Sequence, residues 1–251
     1  MDPVLRLDVD GHTATITIVN PDHRNAMTIA MWRELPILLS AAARDERVRV
    51  LVLTGAGDTF SAGADLLNVD QLLQSGDTVA AEEALATLPK PTIARIRGHC
   101  VGGGCQLAVA CDLRIAAEDA RFGVPPARLG IVYTVETTRR LVALVGPATA
   151  KFLLYTADLV DAPRASPAGL TDEVVPVDEL DTRVKVLADT IASRSALTIA
   201  AAKEIVDLAA SGVEAPERAA YWLSEMRRSG EAAEGVAAFV ERRPPRFEWV
   251  P

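Results

Sequence analysis

Leu5, Leu7 and Val9 alternate with Arg6 and Asp8, and after Gly11 the alternation resumes at Ala14, Ile16 and Ile18. A period of two belongs to a strand with one face in the core, so two strands joined by a tight turn are predicted. Residues 29–43 read as a helix interrupted at Pro36, which has no N–H to give to the helix ladder. The apolar run Val48 to Leu53, closed by Thr54-Gly55, predicts a buried strand. Residues 54–65, TGAGDTFSAGAD, read as a loop leading into a helix, and residues 66–86 as a polar, mobile helical segment. Thr92 to Arg97 predicts a strand. Gly102-Gly103-Gly104 then opens an apolar helix, Cys105 to Ala110, and Leu113 to Ala116 is a further strand.

The recurrence of strand, glycine turn, helix and strand predicts an α/β layered core. From about residue 178 the period is wholly helical, over 178–192, 196–210, 215–228 and 231–241. The chain therefore divides into an α/β core, residues 1–190, and a helical region, residues 191–251. The apolar faces of that region need a partner, either the core or another subunit.

Composition narrows the partners. The chain has 251 residues, 49% hydrophobic and 24% charged, enough to bury one large core. A net charge of −8 argues against nucleic-acid or acidic-membrane surfaces, so an anionic ligand must meet locally placed cations. Cys100, Cys105 and Cys111 are odd in number and lie in one apolar stretch, which fits reduced thiols in a cytoplasmic protein. Met1 is followed by Asp2 and Pro3 rather than by a basic start and an apolar run, so no signal peptide is expected, and the most apolar windows are too short to span a bilayer.

Two segments carry the chemistry: Phe60-Ser61-Ala62-Gly63-Ala64-Asp65-Leu66 and Gly98 through Ala108. Each sets small residues at a loop-to-helix junction, where a ligand can approach the backbone. A helix N-terminus leaves N–H groups free and carries partial positive charge. Two such junctions can aim two N–H donors at one oxygen as an oxyanion hole, in which one donor is worth about 3–4 kcal/mol in the transition state. A Gly-Gly-Gly run equally serves tight turns or close helix packing. The spacing does not match G-x-G-x-x-G, and no Gly-Lys-Ser/Thr follows, which excludes a phosphate P-loop.

Together these loops resemble those of the crotonase (enoyl-CoA hydratase/isomerase) superfamily. Residues 20–27, NPDHRNAM, resemble its first strand-to-helix segment. Phe60 to Leu66 resembles its F-x-A-G-A-D-[LI] loop, and Gly98 to Asp112 its second glycine loop. Arg121-Phe122-Gly123 and Leu129-Gly130-Ile131 follow in register, and Gly235 to Phe247 resembles its C-terminal motif. The resemblance implies a spiral of ββα units followed by a helical trimerisation region, a homotrimer or dimer of trimers, and an acyl-CoA substrate. It implies no cofactor beyond the coenzyme A of the thioester. It assigns the oxyanion hole to the backbone N–H groups of Ala64 and Gly103. It points to Arg24, Ala62, Asp65, Leu66, Lys203 and Phe239 as coenzyme-binding positions, although Asp65 also fits a capping residue and Phe239 a helix face.

The chain departs from the family's hydratases at both proton carriers. Gln106 and Pro126 stand where those enzymes have glutamates, and neither exchanges a proton near neutral pH. The segment Pro126 to Tyr133 resembles that of the methylmalonyl-CoA decarboxylase branch, whose tyrosine faces the substrate carboxylate. That branch has His at the position of Ala64. The leading expectation is thus an acyl-CoA lyase working through a thioester enolate, decarboxylating a malonyl- or alkylmalonyl-type ester, with Tyr133 at the reacting group. The alternatives are a hydratase or isomerase using Glu136 as its lone carboxylate, and a non-catalytic CoA-ester binder. Glu136 also fits a helix N-terminal acid favoured by the dipole. Gln106 reads either as a donor to the substrate carbonyl or as a residue satisfying a helix end.

Overall fold

The computed structural model describes residues 2–250. Strand β1 (Val4–Asp10) turns at Gly11 and pairs antiparallel with β2 (Thr13–Val19), setting Leu5 opposite Ile18 and Leu7 opposite Ile16. Helix α1 (Ile29–Arg44) follows, its N-terminus capped by the Thr28 side chain, which accepts from the Met31 amide. The helix runs through Pro36 rather than breaking there; the proline only leaves the Trp32 carbonyl without its usual amide. Strand β3 (Val50–Gly55) lies parallel to β2.

The segment at 66–86 is not one helix. It is a single 3₁₀ turn at Leu66–Asn68, then α2 (Val69–Ser75) and α3 (Asp77–Ala86), separated by Gly76 at φ 73°. Nor is it polar throughout, since α3 buries Ala81, Glu82 and Leu85. Strand β4 (Thr92–Ile96) is followed by β5 (His99–Val101), a strand inside what reads in the sequence as a glycine loop. Helix α4 (Gly103–Ala110), β6 (Leu113–Ala117) and β7 (Arg121–Gly123) come next. Then come α5 (Pro126–Leu129) and α6 (Val135–Thr156), the latter interrupted at Gly146 (φ 75°) just before Pro147. Strand β8 (Val160–Asp161), α7 (Ala162–Ala165) and β9 (Glu173–Val175) complete the core strands. Helices α8 (Leu180–Ala192), α9 (Ala196–Ser211), α10 (Pro216–Ser229) and α11 (Glu231–Glu241) finish the chain.

Among the described residues the strands form two sheets, one ordered β1-β2-β3-β4-β6-β9 and a small one ordered β5-β7-β8. In the large sheet every pair after β1–β2 is parallel. A parallel sheet is covered on both faces, and its strands then read as unbroken apolar runs. β3 shows why: Val50 and Val52 face a small core with Leu180, Val184 and Ala188 of α8, whereas Leu51 and Leu53 face the main core. The main core also holds Trp32, Leu35 and Leu39 of α1, Leu85 of α3, Leu107 of α4 and Leu141 of α6. Helices α1, α3, α4 and α6 thus share one layer, and that layer carries the site.

Asn25 locks the chain between β2 and α1. Its side chain is fully buried, donates to the Ala56 carbonyl at 2.8 Å and the Thr59 carbonyl at 2.6 Å, and accepts from the Asn20 amide at 3.0 Å. Its φ of 56° is a left-handed conformation that asparagine tolerates well. Asn25→Ala orphans two carbonyls and one amide at a cost of about 1–3 kcal/mol each where burial is complete. Urea unfolding is expected to show Asn25→Ala destabilised by several kcal/mol, and a change of a few tenths would contradict this role.

Candidate active site

The first glycine loop is stitched to the strand that leads into the second. The Phe60 amide donates to the Arg97 carbonyl at 2.7 Å, Ser61 to His99 at 2.8 Å, and Val101 to Ser61 at 2.9 Å. Ser61 and Cys100 form a parallel bridge, as do Met27 and Ala64. The Ser61 hydroxyl is buried, donates to the Asn25 carbonyl at 2.7 Å and accepts from the Gly63 amide at 3.0 Å. The second loop is held from its other side, where Gly102 donates to the Gly123 carbonyl of β7 at 2.9 Å.

These bonds press the loops together so closely that only glycine fits. A Cβ at Gly63 (φ 97°) would lie 2.7 Å from the Val101 carbonyl oxygen and 3.0 Å from the Gly103 nitrogen. One at Gly104 would lie 2.7 Å from the Ser61 Cβ. One at Gly103 would strike the Trp32 ring at 2.9 Å and stand 3.7 Å from the Ala64 nitrogen. Standard bond lengths then put the amide nitrogens of Ala64 and Gly103 within about 6 Å of each other. One oxygen can lie about 3 Å from both. Neither amide donates to another group among the described residues: the Met27–Ala64 bridge uses the Gly63 carbonyl and the Asp65 amide, and Gly103 is the first residue of α4. The partial positive charge of the helix end adds to the same place.

Helix α4, which begins at Gly103, packs on α3 and α6. Gln106, three residues after Gly103, is buried, and its side-chain nitrogen has no hydrogen-bond partner. Tyr133 is half-buried, with its hydroxyl 3.8 Å from the position of a Cβ on Gly102 and unbonded to any described residue. Burial, with smaller effects from nearby Cys105 and Glu82, pushes the phenol well above its usual range. Tyr133 is therefore a neutral donor at physiological pH. Pro126 is buried at the start of α5.

Glu136 lies elsewhere in character. It is exposed in the first turn of α6, where its own backbone amide and the Thr134 hydroxyl lower its pKa. That is the helix N-terminal acid, ionised and solvated, not a base poised near neutrality.

The coenzyme-binding candidates also separate. The Arg24 carbonyl accepts from the Ala62 amide at 2.9 Å, so Arg24 borders the first loop, and its exposed guanidinium has no ion-pair partner among the described residues. Ala62 is half-buried beside it, and Leu66 is exposed. Asp65 caps the following 3₁₀ turn by accepting from the Leu67 amide at 3.0 Å. Within this chain the Lys203 ammonium is bound to Asp112 at 2.9 Å and to the Lys90 carbonyl at 3.3 Å, past the end of α4 opposite Gly103. Phe239 is 85% exposed on α11, and its neighbours Val236 and Val240 are exposed as well. The three cysteines are free and buried; burial pushes Cys111 up to about 12 and Cys100 upward as well. Among the described residues no helix is long and apolar enough to cross a membrane, and no cluster could hold a metal ion.

One residue escaped the sequence reading. Glu82 of α3 is only 3% exposed. Its Oε2 accepts from the Thr137 hydroxyl at 2.6 Å and lies 3.7 Å from Arg140 Nη1. The other oxygen, Oε1, has no partner among the described residues. Burial outweighs Thr137 and Arg140 and raises the carboxyl from 4.5 to about 7. A Glu-Glu pair in a segment of mixed polarity gave no warning. The available signal was that Glu82 shares the helical face of Leu85, three residues on.

The mixed α/β core brings two free amides together beside the N-terminus of α4. The chain belongs to the enoyl-CoA hydratase/isomerase family of the crotonase superfamily, whose profile matches residues 9–249. A crotonyl-CoA hydratase from Syntrophomonas wolfei is 35% identical over 252 residues, covering 96% of each chain. A solved enoyl-CoA hydratase/isomerase family member superposes with a TM-score of 0.93 at 36% identity over the full length of both chains. An enoyl-CoA hydratase from Bacillus anthracis gives 0.89 at 31% identity, covering 97% of this chain and 98% of that one. Membership makes this chain an enzyme of acyl-CoA thioesters.

The Glu82 carboxyl makes a pH-dependent contribution to folding. The folded state keeps this proton between about pH 4.5 and 7, where the unfolded chain has lost it. Folding therefore binds the proton, and stability falls as pH rises through that window, by about 3 kcal/mol. Glu82→Gln is expected to remove this decline when urea unfolding is compared at pH 5 and pH 7.5. An unchanged difference between the two pH values would contradict the raised pKa.

Proposed function

We propose that this protein binds an acyl-CoA thioester with the carbonyl oxygen between the amides of Ala64 and Gly103, and works through the enolate that those amides stabilise. The observation that carries this is the approach of the two free amides across the Gly63–Gly103 contact. Build-up of negative charge on the thioester oxygen is common to hydration, isomerisation and decarboxylation, so the hole fixes the intermediate rather than the reaction. Arg24 is the cation for the nucleotide phosphates, being adjacent to the first loop and without a carboxylate partner among the described residues. The thioester brings its own coenzyme A, and no further cofactor is required by the chemistry.

Hydration of an enoyl-CoA is supported by relatives named as hydratases, and double-bond isomerisation by the name of the family. Gln106 and Pro126 cannot carry the proton, and Glu136 is solvated and acidic, so the proton must move through another group. The second reading, decarboxylation of a malonyl-type thioester, is favoured by Tyr133. Its unbonded hydroxyl above Gly102 can orient a carboxylate, and loss of CO2 yields the enolate without a base. Self-association into trimers would cover Val236, Phe239 and Val240, which stand 66%, 85% and 73% exposed. Three buried thiols suit a reducing compartment such as the cytoplasm.

The seating is tested by difference infrared spectroscopy with a ¹³C-carbonyl thioester. The carbonyl stretch is expected to fall on binding, and a thioether analogue lacking the oxygen should bind at least about tenfold more weakly, or 1.4 kcal/mol. An unshifted stretch with equal affinities would overturn the assignment. The reactions separate on a panel of enoyl- and malonyl-type thioesters. If CO2 is released, Tyr133→Phe is expected to abolish it; undiminished turnover would remove Tyr133 from the mechanism.

A further inference from the structure

Glu82 is a buried carboxyl on a helix that packs against the one carrying Gly103. Its helix, α3, packs on α4, which carries Gly103 and Gln106, and on α6. One carboxylate oxygen is fixed by Thr137, and Arg140 Nη1 lies 3.7 Å from that same oxygen. Arg140 Nη1 is itself buried with no hydrogen bond, while Nη2 of the same guanidinium pairs with Glu83. The other oxygen, Oε1, has no hydrogen-bond partner among the described residues. Burial first, then Cys105 and Glu82, raise the Tyr133 phenol, so the two acids feel each other's charge. The polar and charged groups acting on Glu82 are thus Thr137 and Arg140 of α6 and Glu83 on its own helix. On α1, Arg33 is engaged with Asp77, five residues earlier on α3.

We propose that Glu82 is the proton-carrying residue of this site, exchanging a proton with the acyl α-carbon of the bound thioester. The inference rests on the thioester being seated at Ala64 and Gly103. In one direction the carboxylate takes the α-proton: the C–H bond breaks, its electrons form the Cα–C1 double bond, and the carbonyl pair moves onto the oxygen held by the two amides. In the other direction the carboxylic acid returns the proton to Cα and the carbonyl re-forms. A double-bond shift uses removal at Cα and return at Cγ. An enolate left by loss of CO2 uses only the return. Thr137 and Arg140 are positioning residues that hold the carboxyl and favour its ionised form. A carboxyl whose proton is held to about pH 7 is matched to both directions.

The test is deuterium incorporation from D2O at the α-carbon of 3-butenoyl-CoA, followed by NMR across pH 5.5–9 with the full-length enzyme. Wild type is expected to exchange with a midpoint near neutrality. Glu82→Gln should exchange about 100-fold more slowly, the lower bound for such a group, with unchanged thioester affinity and an unchanged carbonyl stretch. Glu82→Asp should recover part of the rate. Thr137→Val, which removes a hydrogen bond to the ionised form, should move the midpoint to higher pH, a shift that a purely structural role would not produce; this arm stands even if Glu82→Gln folds poorly. Exchange in folded Glu82→Gln within about threefold of wild type overturns the proposal, as does an unmoved midpoint in Thr137→Val. Absent wild-type exchange with a lowered carbonyl stretch overturns the role of Glu82 and spares the seating. An unshifted stretch overturns both.

Discussion

Everything in this site depends on two loops being fastened to each other rather than to the ligand. Ser61 is the fastener. Its backbone bonds both ways with β5, its hydroxyl bridges the Asn25 carbonyl and the Gly63 amide, and its Cβ occupies the space that Gly104 leaves open. With both loops so fixed, the amides of Ala64 and Gly103 need not reorganise when charge develops between them. Preorganisation of that kind is what makes an amide worth more in a buried site than in water.

The same constraint explains why the glycines lie where they do. At Gly63 and Gly103 a side chain would meet backbone or the Trp32 ring at 3 Å or less, so the two loops approach only because those positions lack a Cβ. Trp32, from α1, closes the floor beneath Gly103 and is itself wholly buried. Fold stability and site geometry are therefore one problem here. Asn25 and Ser61 serve both, joining the strand-to-helix crossover after β2 to the first glycine loop.

Much of this was legible in the sequence, and the remainder fails for identifiable reasons. The alternation of Leu5 to Ile18, the helices after residue 180 and the two glycine loops carry strong local signals, and the structure follows them closely. Family membership follows from the motifs. The strand His99–Val101 was hidden because its three residues sit within a glycine-rich stretch and its pairing with β7 is long-range. Pro36 does not break α1, because the partners of α1 on β1 and α3 hold the helix across the missing bond. Glu82 was missed because charge was read as exposure. Glu136 and Lys203 drew attention as carboxylate and cation, yet one is solvated and the other is bound to Asp112. Sequence chemistry names candidates; burial and partners decide among them.

Gln106 and Pro126 leave no ionisable side chain at those two positions, while the amides of Ala64 and Gly103 still face each other. A chemistry organised around the oxygen can proceed without such a group there if a proton is delivered from another wall, and α3 offers one. The most direct measurement is a crystal structure with an acyl-CoA bound. The account predicts the thioester oxygen about 3 Å from the nitrogens of both Ala64 and Gly103. A thioester bound with its oxygen beyond hydrogen-bonding distance of either amide would contradict it.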